Sequence, residues 1–242
     1  MKGVILAGGL GTRLSPITKV INKHLLPVGC FPMIYHSIWK LKEIGVTDIL
    51  LVINKKDTQD FKTIIGNGEA LGVNIHYGLQ LDAKGISDAV YVSKDFIQDD
   101  KFIVLLGDNL FEDSLVSYVE NFKTQSVGAK IIVKQVGNPE QFGVASFNKM
   151  DNRITSILEK PQHPPSNYCV TGIYMYDSNV FKLIETLNPS NRGELEITDI
   201  NNLYIQDRLM TYDVLSGWWI DAGTFQDYAR ANELILKKKL DN

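Results

Sequence analysis

The sequence predicts an α/β fold with a mainly parallel central sheet, helices on both faces and inserted β elements. Three observations carry this expectation. In the first 110 residues, brief Val/Ile/Leu-rich runs bounded by turn residues alternate with stretches of helical periodicity. A glycine-rich loop follows the first of these runs directly. Beyond Leu106 the pattern becomes richer in strands and less regular.

The runs at 4–7, 48–53, 74–77 and 102–106 read as buried strands. Ile34, Ile38, Leu41 and Ile44 recur at helical spacing, predicting a helix over 33–44 stopped by Gly45. Further helices are expected over 57–71 and 87–95. In the second half, strands are expected at 129–136 and 144–147, joined through 137–143. Two more, at 153–159 and 170–176, flank a loop at 161–167. Helices over 180–187 and 197–206 precede a strand at 211–215. A last helix spans 224–240, capped by Thr224 and ending in the basic run Lys237-Lys238-Lys239, which suits the macrodipole.

With 242 residues, 44% of them hydrophobic, the chain can bury a core without a disulfide or metal staple. No repeat or low-complexity linker divides it, so one domain over 1–242 is expected. The formal charge of −3 gives no bulk attraction to nucleic acid or to an anionic membrane. An anionic ligand must therefore be met by a local pocket. Cys30 and Cys169 lie far apart and the four histidines show no zinc-ligand spacing, which fits a reducing compartment. The apolar start is too short to span a membrane and lacks a cleavage site, so a cytoplasmic protein is expected.

The loop after the first strand reads Gly8-Gly9-Leu10-Gly11-Thr12-Arg13. Glycine here lets the backbone approach a ligand and aim N–H groups at phosphate. Leu14 stands where the dinucleotide fingerprint needs its third glycine, and no GxxxxGK[ST] string occurs. Taken alone, the loop is either a phosphate cradle or a tight turn. Arg13 and Lys23 flank it, as phosphate-binding cations or as solvated surface charges.

Together, Gly8-Gly9-Leu10-Gly11-Thr12-Arg13-Leu14-x-Pro16 and Lys23-x-Leu25-Leu26-Pro27-Val28 resemble the signature of the sugar-1-phosphate nucleotidyltransferases, most of all their thymidylyltransferase branch. The resemblance continues in order through Leu106-Gly107-Asp108-Asn109, Glu159-Lys160-Pro161, Gly193-Glu194-Leu195-Glu196-Ile197-Thr198-Asp199 and Trp219-Ile220-Asp221-x-Gly223-Thr224. It implies a Rossmann-like three-layer fold, with a nucleotide-binding half over 1–110 and a sugar-binding half over 111–242. The implied nucleotide contacts are Leu6, Gly8, Gly9, Gly11, Thr12, Arg13, Gln80, Gly85 and Asp108. The implied sugar-phosphate contacts are Asn109, Gly143, Glu159, Lys160, Val170, Gly172 and Tyr174. Arg13, Lys23 and Lys160 are the implied catalytic cations.

The residues can be read on their own chemistry as well. Asp108 follows the strand at 102–106, at the end where open parallel sheets bind ligands. It is either a Mg²⁺ ligand or a helix cap. Asp221, beside two tryptophans, reads as a positioned carboxylate or a turn residue, and the resemblance makes it the second metal ligand. Glu159 and Lys160 form a sugar-phosphate pair by resemblance and a surface ion pair on the bland reading. Gln80 carries both a donor and an acceptor, suited to the imide edge of thymine or uracil, and Gly85 lies five positions on. After it, Gly85-Ile86-Ser87-Asp88-Ala89 replaces the family's commoner Gly-Leu-Ala-Gln-Ala. Gly143 and Gly172 allow close approach at strand edges or mark ordinary bulges. Arg192 is a weaker candidate, or a loop cation before Gly193.

The resemblance implies a Mg²⁺-dependent homo-oligomeric transferase that joins dTTP and glucose 1-phosphate into dTDP-glucose and pyrophosphate, for dTDP-sugar biosynthesis. A UTP-using uridylyltransferase and a non-catalytic nucleotide-sugar sensor remain as alternatives. An NAD-dependent oxidoreductase fails on the missing glycine. Long family members carry a further helical tail that builds a second nucleotide-sugar site. The chain ends at Asn242, so any product inhibition is expected to compete at the active site.

Overall fold

The structure, a computed structural model, describes residues 1–82 and 84–240, with side chains described through Lys237. Strand β1 (Lys2–Leu6) leads through a loop of 3₁₀ turns to a small hairpin, β2 (Pro27–Val28) and β3 (Phe31–Pro32). Then come α1 (Met33–Glu43), β4 (Asp48–Asn54), α2 (Thr58–Ile65), β5 (Asn74–Gln80), α3 (Ile86–Tyr91), α4 (Lys94–Ile97) and β6 (Phe102–Leu106). The second half holds β7 (Asn109–Phe111), α5 (Val116–Thr124), β8 (Ala129–Gln135), β9 (Gly143–Phe147), β10 (Ile154–Glu159) and β11 (Tyr168–Tyr176). It closes with α6 (Asn179–Ile184), α7 (Ile197–Gln206), β12 (Met210–Val214), β13 (Trp219–Asp221) and α8 (Phe225–Leu240).

The main sheet runs β10–β9–β11–β6–β1–β4–β5, with β8 beside β11 and β12 beside β8. Strands β6, β1, β4 and β5 are parallel, with Ile5 paired to both Leu51 and Leu105. Antiparallel β11 joins them to the β-rich half. Side chains alternate across the pleat. Val4 and Leu6 pack with Val90, Phe181 and Ile200, from α3, α6 and α7. Ile5 and Ala7 face the other way, onto Ile38, Phe61 and Val119, from α1, α2 and α5. The sheet is thus covered on both faces, as expected. Each fully buried Val, Leu or Ile contributes about 1.5–3 kcal/mol.

Three details differ from the sequence expectation. The helix expected over 57–71 ends at Ile65, because Gly66 and Gly68 take positive φ of 62° and 84°. The helix expected over 87–95 splits after Tyr91, where the buried Ser93 hydroxyl bonds the Val90 carbonyl at 2.6 Å and competes with the ladder. Strands β2, β3, β7 and β13 and helix α5 were not anticipated. A strand of two or three residues carries no periodicity to read. In α5 only Val119 and Phe122 are buried, too few for a clear stripe. The Thr224 cap is present, its hydroxyl accepting from the Asp227 N–H at 3.2 Å. The basic run extends beyond Lys237 into side chains outside the described residues.

Parallel strands aim their carboxyl ends at one edge. That edge therefore collects the glycine loop after β1, Gln80 at the end of β5 and Asp108 after β6.

Candidate active site

Two adjoining cavities open along this edge. One, of about 250 Å³, is walled by Leu6, Gly8, Gly9, Lys23, Gln80, Gly85 and Asp108, among others. The other, of about 530 Å³, is walled by Thr12, Arg13, Asn109, Gly143, Glu159, Lys160, Val170, Gly172, Tyr174 and Asp221, among others. They share Ile86, Leu106 and Glu194 as common walls. Every candidate site residue except Gly11 lines one of the two. Gly11 instead makes the turn, with a φ of +63°, and a side chain there would strike Thr18 and crowd Lys23.

Lys23 and Asp108 lie at the centre. Lys23 Nζ, largely shielded from solvent, forms an ion pair with Oδ2 of the buried Asp108. Burial is the largest single influence and would raise the Asp108 carboxyl, but the Lys23 charge, the His24 ring and the hydrogen bonds from Lys23 and Asn109 together outweigh it and hold the group well below the usual carboxylate range. Lys23 is aimed from behind. Asn22 donates to Asp57 Oδ2 at 2.7 Å and to the Ala7 carbonyl at 3.3 Å, and its own oxygen accepts from the His24 backbone N–H at 3.0 Å. The sequence reading missed Asn22. It sits one residue before a flagged lysine, and its partner Asp57 is 35 residues away.

Asp221 reaches this centre through a short ladder. β13 pairs antiparallel with β7, placing Asp221 opposite Asn109, and the Ala222 N–H donates to the Asp108 carbonyl at 2.9 Å. Burial first, and then the nearby Asp108 charge, push the Asp221 carboxyl up to about 7. Arg13 approaches it to 3.9 Å. Gly223 makes room for that guanidinium, because a side chain there would overlap Arg13 Nη2. Asp113 accepts from the Ser216 and Gly217 N–H groups at 2.8 and 2.6 Å and so fixes the loop feeding β13. Neither Gly223 nor Asp113 was singled out as functional from the sequence.

Asn109 lines the second cavity, and its amide also bonds inward. It donates to Asp108 Oδ1 at 3.1 Å and accepts from the Gly172 N–H at 2.9 Å and Trp219 Nε1 at 2.8 Å. It thereby braces three parts of the site. Gly172 sits where β11 shifts register against β8, and a side chain there would meet Asn109 and Leu106 at 2.7 Å. Tyr174 is buried in the wall. Burial first, then Glu159 and other anions, raise its hydroxyl far above the ordinary value, so it stays neutral.

Glu159 accepts from the Thr198 hydroxyl at 2.7 Å and lies 3.8 Å from Lys160 Nζ. Lys160 takes a left-handed φ of +43°, a strained conformation that turns the chain into Pro161. Arg192 proves more than a loop cation. It lines the same cavity, binds both Glu196 oxygens at 2.8–2.9 Å and stands 3.6 Å from Glu159. Two cations thus flank the Glu159 end, and two more, Arg13 and Lys23, flank the glycine loop.

Among the described residues, no cluster of three His, Cys, Asp or Glu side chains forms a ready-made metal cage. Magnesium does not require one, since it takes one or two carboxylates and completes its shell with phosphate and water. Asp221 Oδ1 is buried and has no hydrogen-bond partner among the described residues. An acceptor-only oxygen left in that position beside a second carboxylate fits a divalent cation.

The nucleotidyl transferase family profile matches residues 2–238. The chain is 41% identical to a glucose-1-phosphate thymidylyltransferase of Neisseria meningitidis, over 97% of this chain and 82% of that one. It is 40% identical to a low-salt glycan biosynthesis nucleotidyltransferase of Haloferax volcanii, over 99% of this chain and 67% of that one. A crystal structure from Bacillus anthracis, of a chain assigned as a glucose-1-phosphate thymidylyltransferase and complexed with sucrose, superposes with a TM-score of 0.93. That pair is 51% identical over 97% of this chain and 94% of the other. A UDP-glucose pyrophosphorylase, at 24% identity and a TM-score of 0.85, shares the fold. The profile match over 2–238 and the identity of about 40% across nearly the whole chain lead to one conclusion: this chain belongs to the nucleotidyl transferase family.

Proposed function

We propose that the protein is a glucose-1-phosphate thymidylyltransferase, joining dTTP and glucose 1-phosphate into dTDP-glucose and pyrophosphate. The observation that carries this reading is the meeting of Arg13, Lys23, Asp108 and Asp221 along two cavities that share walls. One cavity suits a nucleotide and the other a sugar phosphate. The named relatives support the choice of substrates.

An oxygen of the sugar phosphate forms a bond to the α-phosphorus of dTTP. The bond from that phosphorus to its bridging oxygen breaks, and the electron pair leaves with pyrophosphate. The attacking group is already anionic, so no general base is needed, and the protein's task is positioning and charge neutralisation. The glycine loop and Arg13 take the triphosphate. Lys23, held by Asp108, sits where charge builds. Lys160 and Arg192 take the sugar phosphate, and Glu159 accepts from sugar hydroxyls. Asp108 and Asp221 would hold Mg²⁺, which supplies charge neutralisation on the phosphates when bound. Gln80 faces the base. An acidic chain with two free cysteines is read as cytoplasmic, acting as a homo-oligomer in dTDP-sugar biosynthesis.

The test is a matrix of nucleotides against sugar 1-phosphates, assayed for released pyrophosphate. We expect dTTP first, UTP second and purine nucleotides poorly used. Equal turnover of ATP or GTP would overturn the assignment.

A further inference from the structure

Gln80 is 7% exposed at the end of β5, and its side-chain hydrogen bonds among the described residues run through Nε2. That nitrogen donates to the Gly85 carbonyl at 3.2 Å and to Asp88 Oδ2 at 2.8 Å. Its two protons are thus spent inside the protein. The other end, Oε1, lies against Gly8, only 2.9 Å from where a side chain on that glycine would begin. Gln80 and Gly8 line the same cavity.

We infer that Asp88 is a positioning residue that sets base selection by locking the Gln80 amide in one orientation. The inference rests on the nucleotide-binding reading of this cavity. Turning the amide over would place Oε1 against the Asp88 carboxylate and the Gly85 carbonyl, three acceptors with no proton between them. The carboxylate is acceptor-only, so it permits one orientation. Gln80 then presents only an acceptor to the ligand. Thymine and uracil carry a ring N3–H that such an acceptor reads. Cytosine carries a bare N3 there, and two facing lone pairs repel. Asp88 therefore separates the imide pyrimidines from cytosine without touching the base.

The test is Asp88→Asn. Its side-chain amide can serve Gln80 either as acceptor or as donor, which leaves only the longer bond to the Gly85 carbonyl, at 3.2 Å, holding the orientation. We expect the ratio of kcat/KM for dTTP to that for dCTP to fall at least about tenfold, the scale of one misdirected hydrogen bond. A purely structural role for Asp88, in the first turn of α3, would lower the melting temperature and slow both nucleotides alike. Should Asp88→Asn fail to fold, Asp88→Ala, which removes the acceptor outright, is measured in the same way. An unchanged ratio in the folded variant, with the wild type preferring dTTP, overturns the role of Asp88 alone. A wild type preferring dCTP or ATP overturns the base assignment of the cavity, and this inference with it.

Discussion

Lys23 and Asp108 neutralise each other in a buried setting, and His24 beside them stays uncharged. Burial first, and then the Lys23 charge, lower the His24 imidazole from its ordinary 6.5 to about 3. The unfolded chain takes up that proton near 6.5 and the folded chain only near 3. Between these values the unfolded state holds one more proton, so stability is lost as pH falls, at about 1.4 kcal/mol per unit. His24→Gln removes this titration and should flatten the loss between pH 6.5 and 4. Denaturant midpoints measured across that range check it, and parallel pH profiles for the two proteins would assign the loss to other groups. At the same centre, Asp108→Asn and Asp221→Asn should each lower turnover at least about 100-fold, the scale of losing one charge-stabilising group, with far-UV circular dichroism preserved. Near-normal turnover in either folded variant would remove that carboxylate from the site.

The decisive element is the β7–β13 ladder, which carries Asp221 across to Asp108. Asn109 ties this ladder to β11 through the Gly172 N–H, so the two elements seat each other. A methyl at 172 must displace Asn109 and Leu106, both at 2.7 Å. Gly172→Ala should therefore cost about 1–3 kcal/mol, the usual scale of overpacking, and depress turnover through the shifted Asn109. Melting curves and initial rates together check it. A variant as stable and active as the wild type would show that the ladder tolerates movement at this point.

At the scale of the molecule, the two larger apolar clusters pack against one sheet, and β11 belongs to the parallel half and the β-rich half alike. Neither half can withdraw without exposing a face of that sheet. We expect a single cooperative calorimetric transition, shifted as one by Phe61→Ala on one face or Phe181→Ala on the other. Two resolved transitions would make 1–110 and 111–242 separate folding units.

The alternation of apolar strands and helices determined the α/β class, because periodicities of two and of about 3.6 residues are local properties. The glycine loop, Arg13, Lys23, Asp108 and Gln80 could be named from the sequence through the family's motifs, since the chemistry of each residue alone left a structural reading open beside the functional one. Asp221 could be flagged but not paired, since Asp108 stands 113 residues before it and only the β7–β13 register joins them. Asn22 and Asp113 gave no readable signal, and Asp88 and Gly223 stood out only as a departure from one family motif and a member of another, with no role attached. Their work is done through partners that the folded sheet edge brings near: Asp57, the 216–217 backbone, Gln80 and Arg13. Local pattern chose the elements, and the family's motifs picked out the candidate chemistry-bearing side chains. Tertiary packing decided which of them meet and which way each is held, because hydrogen bonds and charge coupling depend on distance in space rather than along the chain.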